Sequence, residues 1–279
     1  MSSYPYTMEI YGGGNEYQAI PYLTAPDSSP ACVKIGRGSS PTIWPVDISQ
    51  LLSVAWEQLP SSTSPAYRWP AQREATFTLQ AIAGASDVDK LRSIAAKSAQ
   101  GVYPRTESSP LQITIYHGSD PYTAFGYIVG ITPSVFEWKD GNVLLECRAV
   151  IISPWVKLVK KMEAGGTFDL NGDLPADVVF SIGSGGSTAG SFTITSSGGA
   201  PFSNTYGASG LLRGDTTRRW YTTGASSYYH RSGGAQGSGS YFLEKIALAS
   251  SGNPYTLTTS GTFTYAYILD NYSQPKWGV

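Results

Sequence analysis

Two histidines, two cysteines and twenty acidic residues are the groups in this chain with the means to do chemistry. His117 and His230 fall far apart, without H-E-x-x-H or i,i+4 spacing, so no zinc-binding pair forms from them. His117 precedes Gly118-Ser119-Asp120-Pro121, which reads as a surface turn. No G-x-S-x-G occurs to mount a serine nucleophile, and no Walker A loop to cradle a phosphate. Gly12-Gly13-Gly14, Gly36-x-Gly38, Gly183-x-Gly185 and Gly237-x-Gly239 lack the third glycine, and the strand before and helix after, of a dinucleotide fingerprint. Asp169-Leu170-Asn171-Gly172-Asp173 faintly resembles the start of a calcium loop, but its glycine is misplaced. Position twelve, where that loop needs a bidentate glutamate, is Phe180, so an interdomain turn is expected instead. The acids are scattered singly and give no sign of a glycosidase pair. No catalytic residue, cofactor-binding residue or metal ligand is expected, and an enzyme such as a cell-wall hydrolase is the least supported class.

One group has a functional flavour. Trp220, Tyr221, Tyr228 and Tyr229, with His230 and Arg231, lie in or beside long Gly/Ser loops. Aromatic faces beside hydrogen-bonding groups suit a sugar ring or another protein surface. The same rings also suit the core and edges of a β-sandwich, because aromatics favour strands.

The chain has 279 residues and a net charge of -1, with 14% charged and 13% aromatic residues. Near-neutrality leaves no charge excess to drive sequence-specific or other nucleic-acid binding, or binding to an anionic membrane. So few charges with so many aromatics are not the signature of disorder, so most of the chain is expected to fold, and they suggest a surface covered by partners. MSSYPYTMEI has no basic segment followed by an apolar core, so synthesis in a cytoplasm without secretion is expected. The longest apolar runs, such as Ala149-Val150-Ile151-Ile152, fall well short of the ~20 residues that cross a bilayer.

Glycine and proline divide the molecule: 14 Pro and 11 Gly lie up to residue 159, but 4 Pro and 20 Gly from residue 160 onward. Two regimes of turn chemistry imply two domains, 1–165 and 166–279, with the seam near Met162-Glu163-Ala164-Gly165-Gly166. Nine prolines in the first seventy residues predict short strands and long loops there rather than a compact sheet. Ala75 to Ile82 alternates as a half-buried strand. The clearest helix follows, capped at Ser86 with Asp89 three residues on, carrying Val88, Leu91, Ile94, Ala95 and Ala99 on one face and stopped by Gly101. Strands are expected at Leu111–Tyr116, Ala124–Ile131 and Asn142–Ile152, with a turn at Asp140-Gly141 after Val135–Trp138. Cys147 falls on the apolar face of the last and reads as a small core residue. The second half is β only: Val178–Ile182, Ser191–Thr195, Arg219–Thr222, Tyr241–Leu248, Tyr255–Thr258 and Thr262–Leu269, the last central to its sheet. The fold class is therefore mainly β with one clear helix (α+β), the second half a sandwich or jelly roll.

Two stretches resemble the distal tail protein (Dit) family of long-tailed, siphovirus-type bacteriophages. The first runs from Glu74-Ala75-Thr76-Phe77-Thr78-Leu79-Gln80 through the helix Asp87 to Gln100 and Pro110-Leu111-Gln112-Ile113-Thr114-Ile115. It continues with Phe125-Gly126-Tyr127-Ile128-Val129-Gly130 and Val143-Leu144-Leu145-Glu146-Cys147-Arg148-Ala149. It is similar to the family's N-terminal ring-forming domain. The second, Gly214 to Trp220, Asn253 to Leu257, and Thr262 to Leu269 with Gln274-Pro275-Lys276-Trp277, is similar to its C-terminal galectin-like or carbohydrate-module-like sandwich. The proline-rich first seventy residues and the glycine-rich segments 183–190 and 224–240 depart from the family pattern. The resemblance implies a homo-oligomeric ring, commonly a hexamer, in the virion at the distal end of the tail. Its implied partners are the tail tube protein, the tape measure protein and the tail-tip hub or receptor-binding proteins. A rival expectation is a carbohydrate-binding module for host adsorption, with cell-wall polysaccharide as its ligand and Trp220, Tyr228 and Tyr229 as stacking platforms.

Overall fold

A computed structural model describes residues 6–12, 32–54, 56–57, 69–70, 72–99, 111–134, 141–183, 189–197, 203–210, 212–216, 220–223, 226–229, 245–246, 248 and 254–275. The chain divides into two compact units, Met1–Trp155 with Ser273–Val279, and Val156–Tyr272. The described residues are mainly β with one helix, as the sequence pattern predicts.

The first unit holds β1 (Tyr6–Tyr11), β2 (Cys32–Ile35), β3 (Ile43–Asp47), a short pair β4 (Trp56–Glu57) and β5 (Trp69–Pro70), then β6 (Arg73–Ile82). Helix α1 (Ser86–Ala99) follows, then β7 (Leu111–His117), β8 (Asp120–Pro133) and β9 (Asn142–Ile151). The main strands pair antiparallel in the order β3–β6–β9–β8–β7–β1–β2. Alternation builds the centre: Ala75, Phe77, Leu79 and Ala81 of β6 are buried and lie opposite Ala149, Cys147, Leu145 and Val143 of β9. The ladder's two ends approach one another, and Gly36 N–H donates to the Ile43 carbonyl at 2.7 Å, so the sheet is curled. Helix α1 buries Val88, Leu91, Ile94 and Ala95 and packs against β8, β7 and β2. The Thr42 hydroxyl donates to Asp87 in its first turn at 2.6 Å.

Two features differ from the sequence expectation. Within the first seventy residues, β1 is an interior strand of the sheet, bonded to both β2 and β7. Among the described residues, Pro45 sits in β3, whose partner strand is β6 and whose register shifts between Pro45 and Asp47. β8 runs beyond the expected Ala124–Ile131, from Asp120 to Pro133, through a bulge between Ile128 and Gly130 that leaves Val129 exposed. Gly141 takes the left-handed conformation (φ 76°) in the turn before β9, while Val135–Trp138, Asp140 and the helix stop Gly101 lie outside the described residues.

The second unit is made of β10 (Trp155–Met162), β11 (Gly166–Phe168), β12 (Leu174–Ile182), β13 (Ala189–Ser196) and β14 (Ser203–Ser209). It ends with β15 (Leu212–Asp215), β16 (Trp220–Thr223), β17 (Ser226–Tyr229), β18 (Tyr255–Gly261) and β19 (Phe263–Tyr272). One sheet has the order β17–β16–β15–β12–β19–β10 and the other β11–β18–β13–β14. Both line one core: Phe180, Ile182, Ala266 and Ile268 of the first sheet meet Phe192, Ile194, Tyr206 and Leu257 of the second. Phe180 and Phe192 pack edge to face at 5.1 Å, and Phe192 stacks on Tyr206 at 4.7 Å. This is a sandwich, with β19 between β12 and β10. Of the strand expected at Tyr241–Leu248, residues 245, 246 and 248 are described, and Ile246 forms an isolated bridge with Ala176.

Candidate functional site

The four aromatic residues singled out in the sequence occupy one hairpin. The register of β16 and β17 sets Trp220 opposite Tyr229 and Tyr221 opposite Tyr228, two consecutive pairs at the outer end of the sheet. Tyr228 and Tyr229 thus belong to a strand, where the sequence expects Gly/Ser loop. The Ser-Ser-Tyr-Tyr stretch pairs with a neighbour that already has strand character. His230 and Arg231 lie outside the described residues.

The other chemically suggestive groups separate. His117 ends β7 half-buried, its ring 5.3 Å from that of Tyr6. Residues 169–173 join β11 to β12 within the second unit rather than bridging domains. The Asn171 N–H donates to both carboxylate oxygens of Asp270 at 3.1 Å. Among the described residues no group of three or more His, Cys, Asp or Glu is placed to hold a metal ion. Cys32 and Cys147 are both buried thiols. Burial pushes Cys147 up to about 12 and raises Cys32, the nearby Glu9 adding to the latter.

Two buried polar centres carry no sequence motif. In the first unit Glu9 of β1 is 3% exposed. It accepts the hydroxyls of Tyr11 and, at 2.6 Å, Tyr116, and pairs with Arg37 at 3.3 Å. The Arg37 guanidinium also lies 3.5 Å over the Tyr116 ring. Burial, then the bonds to Glu9, hold both tyrosine hydroxyls above their ordinary range. Among the described residues each of these partners is a donor aimed at one carboxylate, which ties β1 to its neighbours as a clamp.

In the second unit Asp177 of β12 is fully buried. One oxygen takes the Thr216 hydroxyl and the Lys245 ammonium; the other takes the side-chain amide of Asn271 at 2.6 Å. Thr216 is itself locked, its hydroxyl accepting from Val178 N–H at 2.9 Å. The legible sign of both centres is a single acid inside an apolar strand, Met8-Glu9-Ile10 and Ala176-Asp177-Val178. Their partners come from distant segments that no spacing rule connects.

Comparison with known proteins follows the fold rather than the sequence. No protein-family model and no curated protein sequence matches the chain. Among solved structures it is similar to a chain of the phage P2 baseplate in its activated conformation with calcium. That match has a TM-score of 0.55 at 8% identity and covers 97% of this chain and 99% of that one. A chain of the same baseplate with strontium matches with a TM-score of 0.51 at 8% identity, covering 95% and 97%. SPP1 Dit, a paradigm of hub adsorption apparatus in Gram-positive infecting phages, aligns with a TM-score of 0.36 at 11% identity over 84% and 90%. The chain has the fold of a phage baseplate component.

Proposed function

We propose that this chain is a structural subunit of a phage tail tip, a distal tail protein whose copies close a ring, six by the family's habit, between the tail tube and the adsorption apparatus. The observation that carries this reading is the likeness to the phage P2 baseplate chain, which spans 97% of this chain and so takes in both units. A chain with only 14% charged residues suits a protein whose surface is largely covered in an assembly. In this reading residues 1–165 form the ring, which is heterologous and closed, and 166–279 stand outside it as a platform. The tube, tape measure and hub or receptor-binding proteins are its neighbours. It is made in the host cytoplasm and carried in the virion, and its work is mechanical rather than enzymatic. Light scattering and negative-stain microscopy of the purified chain test this. Rings of uniform size are expected; a monomer at every concentration, with no rings on the grid, overturns it.

A second reading rests on the β16–β17 hairpin, which gathers four aromatic residues at the outer end of a sheet. In it the hairpin binds host cell-wall polysaccharide by stacking. Calorimetry with purified polysaccharide is expected to show binding that Trp220→Ala abolishes, and a flat trace for the unaltered chain removes this reading.

A further inference from the structure

We propose that Lys245 and Asn271 become covalently joined, the Lys245 amine displacing ammonia from the Asn271 side-chain amide to leave an isopeptide bond inside the second unit. This concerns the second unit alone and holds whether or not the tail-tip reading does.

Three segments bring the reactants together. Asp177 lies in β12, Asn271 near the end of β19, and Lys245 beside Ala176. Lys245 is pinned by its neighbour, since Ala176 and Ile246 exchange two backbone hydrogen bonds of 2.8 Å. Asn271 is held opposite Leu174, and its side-chain amide also donates to the Pro175 carbonyl at 2.7 Å. Its backbone is overlaid so closely by Gly172 that a Cβ there would lie 2.3 Å from the Asn271 carbonyl oxygen. Asp177 and Asn271 are fully buried, and the Lys245 side chain is 19% exposed. Ala176, Val178 and Ile246 of the sandwich core adjoin them in sequence.

The arrangement exceeds what an ion pair requires. Asp177 holds the amine on one oxygen and the amide on the other, so the nucleophile and the leaving nitrogen are bonded to the two oxygens of one carboxylate. The Asn271 carbonyl oxygen is meanwhile buried with no hydrogen-bond partner among the described residues. A buried acceptor left bare costs stability unless something else is gained. A carboxyl that has taken up a proton is the donor this oxygen lacks, and rotation of the amide presents the oxygen to it.

The step balances without any added reagent. Asp177 takes a proton from the Lys245 ammonium, and the freed Nζ lone pair attacks Cγ of Asn271. The Nζ–Cγ bond forms as the carbonyl oxygen gathers charge beside the protonated carboxyl. Asp177 then relays protons from Nζ to Nδ2, the Cγ–Nδ2 bond breaks, and the nitrogen departs as ammonium, leaving a secondary amide and the carboxylate. Amide aminolysis is very slow between free molecules. Holding both groups on one buried carboxylate removes the entropic cost and keeps out competing water.

The test is the intact mass of the full-length, folded protein after denaturation. The unaltered chain is expected to be lighter than its sequence by one ammonia. Trypsin should fail to cut after Lys245, and a branched peptide should link residues 245 and 271. Lys245→Arg, which keeps the charge on Asp177, and Asp177→Ala are both expected at full sequence mass, with circular dichroism confirming that each is folded. Because the unaltered chain decides the matter, a variant that does not fold leaves the result intact. Full sequence mass for the folded, unaltered chain overturns the proposal. So does loss of one water with the link running to Asp177.

Discussion

The Tyr116 hydroxyl donates to Glu9 at 2.6 Å across 107 residues of chain, which ties the first unit's N-terminal strand β1 to β7 beside it in the sheet. Glu9 lies directly opposite Thr114 in that ladder and has Tyr11, Tyr116 and Arg37 around it. Removing the carboxylate strands two hydroxyls and a cation, whereas removing one hydroxyl leaves the others in place. Glu9→Ala is therefore expected to cost about 3 kcal/mol and Tyr116→Phe about 1 kcal/mol in urea denaturation. Equal effects would mean that the cluster does not centre on Glu9.

The same cluster predicts weakness in alkali. Tyr11 and Tyr116 are raised in the folded chain above their ordinary value of 10.0, by burial first and then by the bonds to Glu9. The unfolded chain therefore loses these protons first, so folding stability falls as pH rises. The contribution is fully present below pH 10 and is lost progressively above it. A double Tyr11→Phe, Tyr116→Phe variant should show a shallower decline in melting temperature above pH 10 than the unaltered chain. Parallel declines would remove these two tyrosines as the cause.

Thiol labelling gives an independent check on the first unit. Cys32 and Cys147 are 4% and 0% exposed, and burial pushes the Cys147 thiol up to about 12. Folded protein at neutral pH should react with neither a disulfide reagent nor iodoacetamide, and both thiols should titrate in denaturant. Rapid reaction of Cys147 in the folded state would contradict its place opposite Phe77 in the β6–β9 ladder.

In the sandwich, Phe180 touches both Phe192 and Tyr206, with ring centroids 5.1 and 5.3 Å away. Truncation there empties the meeting point of the two sheets. Phe180→Ala should cost about 3–5 kcal/mol in thermal or chemical unfolding of the second unit. A loss under 1 kcal/mol would place Phe180 outside the core.

Two glycines separate strain from collision. Gly38 (φ 96°) and Gly261 (φ 67°) both use the left-handed region, but a Cβ on Gly38 meets nothing within 4 Å among the described residues. A Cβ on Gly261 would lie 2.3 Å from the Ala189 carbonyl oxygen. Gly38→Ala should cost about 1 kcal/mol, for backbone strain alone. Gly261→Ala should cost clearly more, because the β13–β18 ladder must also open. The ratio of the two melting shifts is the measurement.

Alternation and helical spacing are local, so residue order alone determined the helix at Ser86–Ala99, the strands around Phe77, Ile113 and Leu145, and the burial of Cys147. It also determined the two-sheet character of the second half and the central place of β19, because both faces of that strand carry apolar residues. That the proline-rich start supplies an interior strand was settled by long-range pairing. The cross-chain pairing that seats β1 between β2 and β7 leaves no periodic trace in either partner. The aromatic residues at 220 and 221 became neighbours of 229 and 228 through hairpin register. Glu9 and Asp177 look alike in sequence, each a lone acid among apolar neighbours. Their partners, Tyr116 and Arg37 for one, Lys245 and Asn271 for the other, were chosen by which strands hydrogen-bond side by side. A buried charge must find donors wherever the fold brings them, and strand order is a property of the whole chain rather than of any window along it.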